Sequence, residues 1–161
     1  MGTELTYIMC VVGFTIIFGY CIFATIYNNG LPNSISQIVY ALDDEWKWTF
    51  TAVMIAVAFL IAPQMMEVAG NNIEFLAYLT SVGLIGVGAD PLVKDEKNII
   101  HYVSAVIMGV ASQVLVYFIN PWYFALWIPY VLYTLYMEDG SKNMFLGEIV
   151  MLLATAAICL L

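Results

Sequence analysis

Long apolar runs alternate with short polar stretches along the chain, and their lengths predict six membrane-spanning helices. About 20 apolar residues cross the roughly 30 Å hydrocarbon layer of a bilayer. Each run is expected to be helical, because a helix satisfies its own backbone hydrogen bonds in lipid. The predicted spans cover residues 5–27, 46–68, 73–89, 99–118, 122–137 and 144–161. The predicted fold is therefore an all-α polytopic membrane protein, with six transmembrane helices in one bundle and a single transmembrane domain over residues 1–161.

The connection between the first two spans, LPNSISQIVYALDDEW, is too polar to cross a membrane and too long for a tight turn. From Ile35 to Leu42 its apolar residues recur at the i, i+3, i+4, i+7 spacing of one helix face, and Asn33 or Ser34 is available as an N-cap. The pattern predicts a short interfacial helix over residues 33–43 that lies on the membrane. A connector that only covers the end of the bundle explains the same pattern.

The composition excludes an ordinary soluble domain. The chain is 63% hydrophobic and 10% charged, whereas soluble domains average about 45–50% apolar and about 25% charged residues. With four basic residues, no arginine and a net charge of −8, the chain lacks the clustered cations that nucleic-acid binding needs. The three cysteines lie inside apolar runs without metal-ligand spacing, so no cofactor is predicted. The expected location is the inner (plasma) membrane, as a multi-pass protein.

The lysines predict the orientation in the membrane. All four belong to the first, third and fifth connections, at Lys47, Lys94, Lys97 and Lys142. Lysine-bearing loops face the cytoplasm by the positive-inside rule. Both termini are therefore expected on the outer side.

Small residues predict which helices pack closely. They occur in the third span at Gly83, Gly86 and Gly88, and in the fourth at Ala105, Gly109 and Ser112. Such faces let helix backbones approach in a membrane, so these two spans are expected to be antiparallel neighbours. The same faces also suggest a homo-oligomer.

The fifth span is unusually aromatic, and Pro129 is expected to bend it. Tyr123, Trp127 and Tyr130 form a stripe that is a candidate lining for a lipid or ligand groove. Helix packing or lipid contact explains such a stripe equally.

The hairpin between the third and fourth spans carries the main candidates for chemistry. Asp90 ends the third span and the only histidine, His101, opens the fourth. Glu148, Ser34 and Ser36 are expected at the same membrane face. A carboxylate beside an imidazole and a hydroxyl suits hydrolysis or proton handling.

Structural explanations of these residues stay open. Asp90 before a proline ends a helix in many proteins, and His101 near a helix start pairs with an acid or water. One histidine does not make a His-rich zinc site, so no metal site is predicted, and Asp90, His101 and Glu148 are only weak candidates for one.

Two segments, GLPNSISQIVY and GLIGVGADPLVKDEKNIIHYVSA, together resemble the six-span membrane families of the DUF998 and Frag1/DRAM/Sfk1 type. Those families have a serine element after the first helix, and a glycine-rich third helix followed by a histidine. The resemblance implies a bacterial integral membrane protein linked to lipid organisation and membrane trafficking. It also implies ligand-binding roles for the matching polar positions, which are Ser34, Ser36, Asp90, His101 and Ser104. The lysine-based orientation departs from the family, in which the serine loop is generally drawn outside.

The leading hypothesis is a non-enzymatic membrane protein that binds or organises a membrane lipid or a small amphiphile. The first alternative is an intramembrane hydrolase or metal-dependent enzyme that uses Asp90, His101 and Glu148. The second alternative is a small transporter or channel subunit that oligomerises through its glycine faces.

Overall fold

Helices of very different lengths make up the described chain, which is all-α. The structure, a computed structural model, describes residues 3–93, 99–136 and 143–161, with the backbone alone at residues 38, 41 and 90–93. The helices are α1 (Thr3–Tyr27), α2 (Ile38–Ala41), α3 (Lys47–Val93), α4 (Ile99–Ile119), α5 (Trp127–Tyr136) and α6 (Asn143–Leu160). Short 3-10 helices, Asp44–Trp46 and Pro121–Leu126, precede α3 and α5.

Four helical segments of the described chain are long and apolar enough to cross a membrane. They are Thr3–Tyr27, Asp44–Ala89, Ile99–Ile119 and Asn143–Leu160. These candidate spans give the chain the architecture of a multi-pass helical membrane protein. The predicted number of six spans is wrong. The predicted second and third spans run into one helical segment, and the predicted fifth is divided between a 3-10 helix and the ten-residue α5.

Helix α3 doubles back on itself at Gly70. This glycine has φ 64° and ψ 178°, a left-handed φ that glycine adopts without the steric cost of a side chain. It divides α3 into a first arm, residues 47–69, and a second arm, residues 71–93. A Cβ added at Gly88 would lie 2.6 Å from the Cβ of Met54, so the two arms are antiparallel. Without this reversal, the 46-residue candidate span Asp44–Ala89 would form a straight helix about 70 Å long. That is more than twice the thickness of the hydrocarbon layer.

Helix α1 packs antiparallel to the first arm of α3. Thr6 hydrogen-bonds to Gln64 near one end, and the rings of Tyr20 and Phe50 lie 6.1 Å apart near the other. The carbonyl oxygen of Cys159 in α6 also accepts a hydrogen bond from Gln64. The start of α1 and the end of α6 therefore lie beside the Gly70 turn, at what we call the Gly70 end.

The second arm of α3 packs closely on α4, as the small-residue pattern predicts. A Cβ at Gly83 would lie 2.7 Å from the backbone nitrogen of Met108, and one at Gly86 would lie 2.1 Å from Ser104 Oγ. On the other side of α4, a Cβ at Gly109 would contact the sulfur of Met151 in α6 at 3.5 Å. Helices of the same chain therefore cover these glycine faces, and the homo-oligomer stays a prediction.

Helix α5 begins two residues before Pro129, the residue at which the sequence predicts a bend. The side chain of Asn120 accepts a hydrogen bond from the Trp122 N–H at 3.2 Å, and Pro121 opens the following 3-10 helix. Because α5 starts at Trp127, Pro129 lies in its first turn. There its missing N–H has no intrahelical bond to lose. The predicted bend within a fifth span is therefore wrong, and this proline lies at the start of a short helix.

Candidate functional site

Residues 28–46, between α1 and α3, form a strap across the end of the bundle opposite Gly70. We call this the strap end. The side chains of Ile35, Val39 and Leu42 are buried in the bundle. The predicted interfacial helix over residues 33–43 is correspondingly wrong in extent, since only the four residues of α2 are helical. The apolar face packs on protein, so this segment follows the alternative interpretation of a connector that covers the bundle end.

Two hydrogen bonds tie the strap to the start of α6. The Phe145 N–H donates to the carbonyl oxygen of Asn33 at 2.9 Å. The first N–H groups of a helix have no intrahelical partner, so this carbonyl caps α6. The Ile35 N–H donates to Glu148 Oε2 at 2.6 Å. The strap is therefore held by both the backbone and an acidic side chain of α6.

A cavity of about 40 Å³ lies beneath the strap. Its polar lining consists of Ser36 from the strap, His101 from α4 and Glu148 from α6. Apolar side chains from all the surrounding helices form the rest of the wall: Ile17, Ile35, Phe50, Met54, Leu84, Val87, Ala105, Met108, Met151 and Leu152. The structure thus brings together three of the predicted site residues from segments far apart in sequence. Their binding of a ligand stays a prediction.

The three polar side chains offer complementary hydrogen-bonding groups. Glu148 is half-buried, and its carboxylate accepts only. The Ser36 hydroxyl lies 3.0 Å from the Ser34 hydroxyl, and the His101 ring lies edge-on to Tyr102 with centroids 5.8 Å apart. A hydroxyl and a neutral imidazole both donate and accept. Because the remaining wall is apolar, a polar group held here would be shielded from water, where each hydrogen bond is electrostatically stronger.

Two other predicted ligand residues have structural contacts outside the cavity lining. Ser34 is buried, and its hydroxyl accepts a hydrogen bond from the Gln37 N–H at 3.2 Å. It therefore caps a turn of the strap and not the predicted helix, because α2 begins only at Ile38. Ser104 faces Gly86 at the contact between α4 and the second arm of α3. Ligand binding by either serine stays a prediction.

Asp90, the predicted partner of His101, has its side chain outside the described part of the chain. Helix α3 continues beyond Asp90 to Val93, so the interpretation of Asp90 as the end of a helix is wrong. The pairing of Asp90 with His101 stays a prediction. Within residues 3–93, 99–136 and 143–161, no three His, Cys, Asp or Glu side chains are grouped so that they could hold a metal ion. The described geometry therefore offers no observation that favours the metal-dependent alternative.

The aromatic stripe of the predicted fifth span faces the bundle. Trp127 Nε1 donates to Gln113 Oε1 at 3.0 Å. Tyr130 lies edge-on to Trp127, and its hydroxyl would be 3.1 Å from a Cβ at Gly147 of α6. Tyr123 packs against the core. Helix packing accounts for all three residues, and their lining of a ligand groove stays a prediction.

A second polar cluster lies at the Gly70 end. Thr6 Oγ1 is 2.9 Å from Gln64 Oε1 and 2.7 Å from Glu67 Oε2, and Gln64 Nε2 donates to the Cys159 carbonyl at 3.3 Å. This cluster joins α1, α3 and α6. Its signal in the sequence is the presence of polar residues inside apolar runs, with Gln64 and Glu67 one helical turn apart.

Sequence reasoning missed part of the cavity. The Ile35 N–H is a backbone group, so no residue type in the sequence signals its bond to Glu148. Met54, Met108 and Met151 line the cavity but are scattered among other apolar residues. Methionine is flexible and adapts to irregular shapes, so the wall of this cavity can change shape.

No protein-family model, no curated protein and no solved structure matches this chain. The resemblance to the DUF998 and Frag1/DRAM/Sfk1 families therefore stays a prediction.

Proposed function

We propose that this chain is a multi-pass membrane protein that binds a small amphiphile in the cavity beneath the strap. One observation carries the proposal, namely that a single cavity joins Ser36, His101 and Glu148 to an apolar wall. Binding sites for small molecules combine mostly apolar walls with a few convergent polar groups. The polar head of the amphiphile would bind these three side chains, and its apolar part would contact the wall.

The size of the cavity favours a small molecule over a whole lipid. A water molecule needs about 10–15 Å³ of such volume, so the cavity of about 40 Å³ has room for about three water-sized groups. A head group and the first atoms of a single chain fit that volume. A longer chain requires Met54, Met108 and Met151 to move aside, which flexible methionine side chains permit.

Photolabelling of the purified protein in lipid nanodiscs tests this proposal. The probes are two six-carbon diazirine compounds, one with an amine head and one with a hydroxyl head. At least one is expected to label peptides that contain Met54, Met108 or Met151. Ala105→Phe fills the cavity and should reduce that labelling roughly tenfold, a loss of about 1.4 kcal/mol in binding.

The matched control is Ala125→Phe, because Ala125 is exposed outside the cavity. It should leave the labelling unchanged. Labelling confined to exposed residues such as Leu135, or cavity labelling that persists in Ala105→Phe, would contradict the proposal.

A further inference from the structure

Glu148 is the only acidic side chain among the described residues that line the cavity. In the same described ranges no lysine lines it, and Lys47 forms an ion pair with Asp44 of the strap. A carboxylate that is partly removed from water is stabilised by a partner of opposite charge that also satisfies its hydrogen-bonding capacity. The charge of the lining therefore favours a cationic ligand over an anionic one.

The hydrogen bonds of Glu148 leave room for such a ligand. A carboxylate has about four acceptor sites, and the described residues supply one donor, the Ile35 N–H, on Oε2. The Ser36 hydroxyl, on the same cavity, adds another acceptor oxygen. A primary ammonium group has three N–H donors and therefore matches this set of oxygens.

We infer that the amphiphile is a primary amine with a single alkyl chain, whose ammonium head pairs with the Glu148 carboxylate beneath the strap. This inference rests on the proposed function and names its ligand class. The head occupies the polar part of the cavity, and the first methylene groups contact the apolar wall. A neutral alcohol of the same length forms fewer hydrogen bonds and no ion pair, so it binds more weakly.

Competition for cavity labelling tests the ligand class in zwitterionic nanodiscs at neutral pH. The competitors are hexylamine, which is protonated there, and hexanol and hexanoate, which have the same chain length. Hexylamine is expected to displace the diazirine probe that labels the cavity at about one tenth of the concentration that hexanol needs. Hexanoate is expected to be the weakest competitor. Glu148→Gln should abolish the preference for the amine. It keeps an acceptor oxygen for the Ile35 N–H, so the strap stays attached.

Glu74→Gln is the matched control, since it removes one acid from an exposed site and changes the net charge equally. It should keep the preference. The competitors partition differently into lipid, but each one partitions equally whichever variant is in the nanodisc. Comparing the variants therefore removes this difference. Hexanol or hexanoate that competes at least as well as hexylamine in the native chain, compared at equal concentrations within the nanodisc, overturns the inference, whatever the stability of the variants. So does an amine preference that survives in Glu148→Gln. In either case the proposed function still stands if the native chain is labelled in the cavity and Ala105→Phe blocks that labelling. If the native chain is not labelled in the cavity, both the inference and the proposed function are contradicted.

Discussion

At the scale of single residues, two glycines decide how closely α4 approaches the second arm of α3. Gly83 and Gly86 lie so near α4 that a Cβ at either would overlap Met108 or Ser104. Small residues allow this approach, and van der Waals packing at short range is a main source of helix association in membranes. The antiparallel contact was predictable from the sequence because the glycines recur on one helix face.

Gly86→Leu should destabilise the bundle by about 1–3 kcal/mol or more, because the new side chain overlaps Ser104 and forces the two helices apart. Gly19→Leu is the matched control. No atom lies within 4 Å of a Cβ at Gly19, and leucine favours helix by about 1 kcal/mol relative to glycine. Thermal unfolding in mild detergent should show a lower Tm for Gly86→Leu only. An unchanged Tm for that variant would contradict the close contact between Gly86 and Ser104.

At the scale of secondary-structure elements, apolar run length predicted α1, α4, α6 and the two arms of α3 well, and the fifth span poorly. Each of these five helical segments agrees with a predicted span to within a few residues. Run length does not show how the chain turns between helices. Gly70 reverses α3 within one residue, whereas the sequence suggested a connection over residues 70–72. Pro129 was interpreted as a bend within a long span, whereas it lies in the first turn of α5, which begins at Trp127 after the 3-10 helix that Asn120 caps.

The strap shows why part of the candidate site could not be predicted. Its amphipathic pattern is compatible with a lipid surface or with the end of a bundle, and the choice depends on whether α6 offers partners. The structure supplies them through Phe145 and Glu148. The convergence of Ser36 and His101 was predictable from the alternation of helix directions. The cavity between them was not, since it results from packing by five helical segments.

Loss of the Glu148 side chain should let the strap open. An intramolecular hydrogen bond contributes about 0.5–1.5 kcal/mol, so Glu148→Ala should raise the open fraction about two- to tenfold. Val39→Cys reports this, because Val39 is buried in the strap. Its reaction with a water-soluble maleimide should be slow in the native background and faster with Glu148→Ala.

Glu148→Gln should leave the Val39→Cys reaction slow, since the amide oxygen still accepts from the Ile35 N–H. Tyr40→Cys, at the exposed neighbouring residue, should react quickly in every background. A Val39→Cys rate that Glu148→Ala leaves unchanged would show that apolar packing alone holds the strap closed.

At the scale of the whole molecule, the two ends of the bundle differ in character. The Gly70 end brings α1, α3 and α6 together through Thr6 and Gln64. The strap end holds the cavity, covered by a connector that is bonded to α6. The prediction that the strap end faces the cytoplasm, based on lysines, still stands as a prediction. A site near one membrane face is accessible to amphiphiles that partition into that leaflet.

The central claim is that the strap and α4 meet at one cavity in the membrane-embedded protein, and cysteine cross-linking tests it most directly. The pair Ser36→Cys and Ala105→Cys is introduced with Cys10, Cys21 and Cys159 replaced by alanine. Both introduced residues line the cavity, so a short thiol cross-linker should join them in native membranes. Ser36→Cys with Tyr102→Cys is the control, since the Tyr102 side chain is 61% exposed. The account predicts efficient cross-linking of the first pair only; equal yields for both pairs, or cross-linking of the control alone, would contradict it.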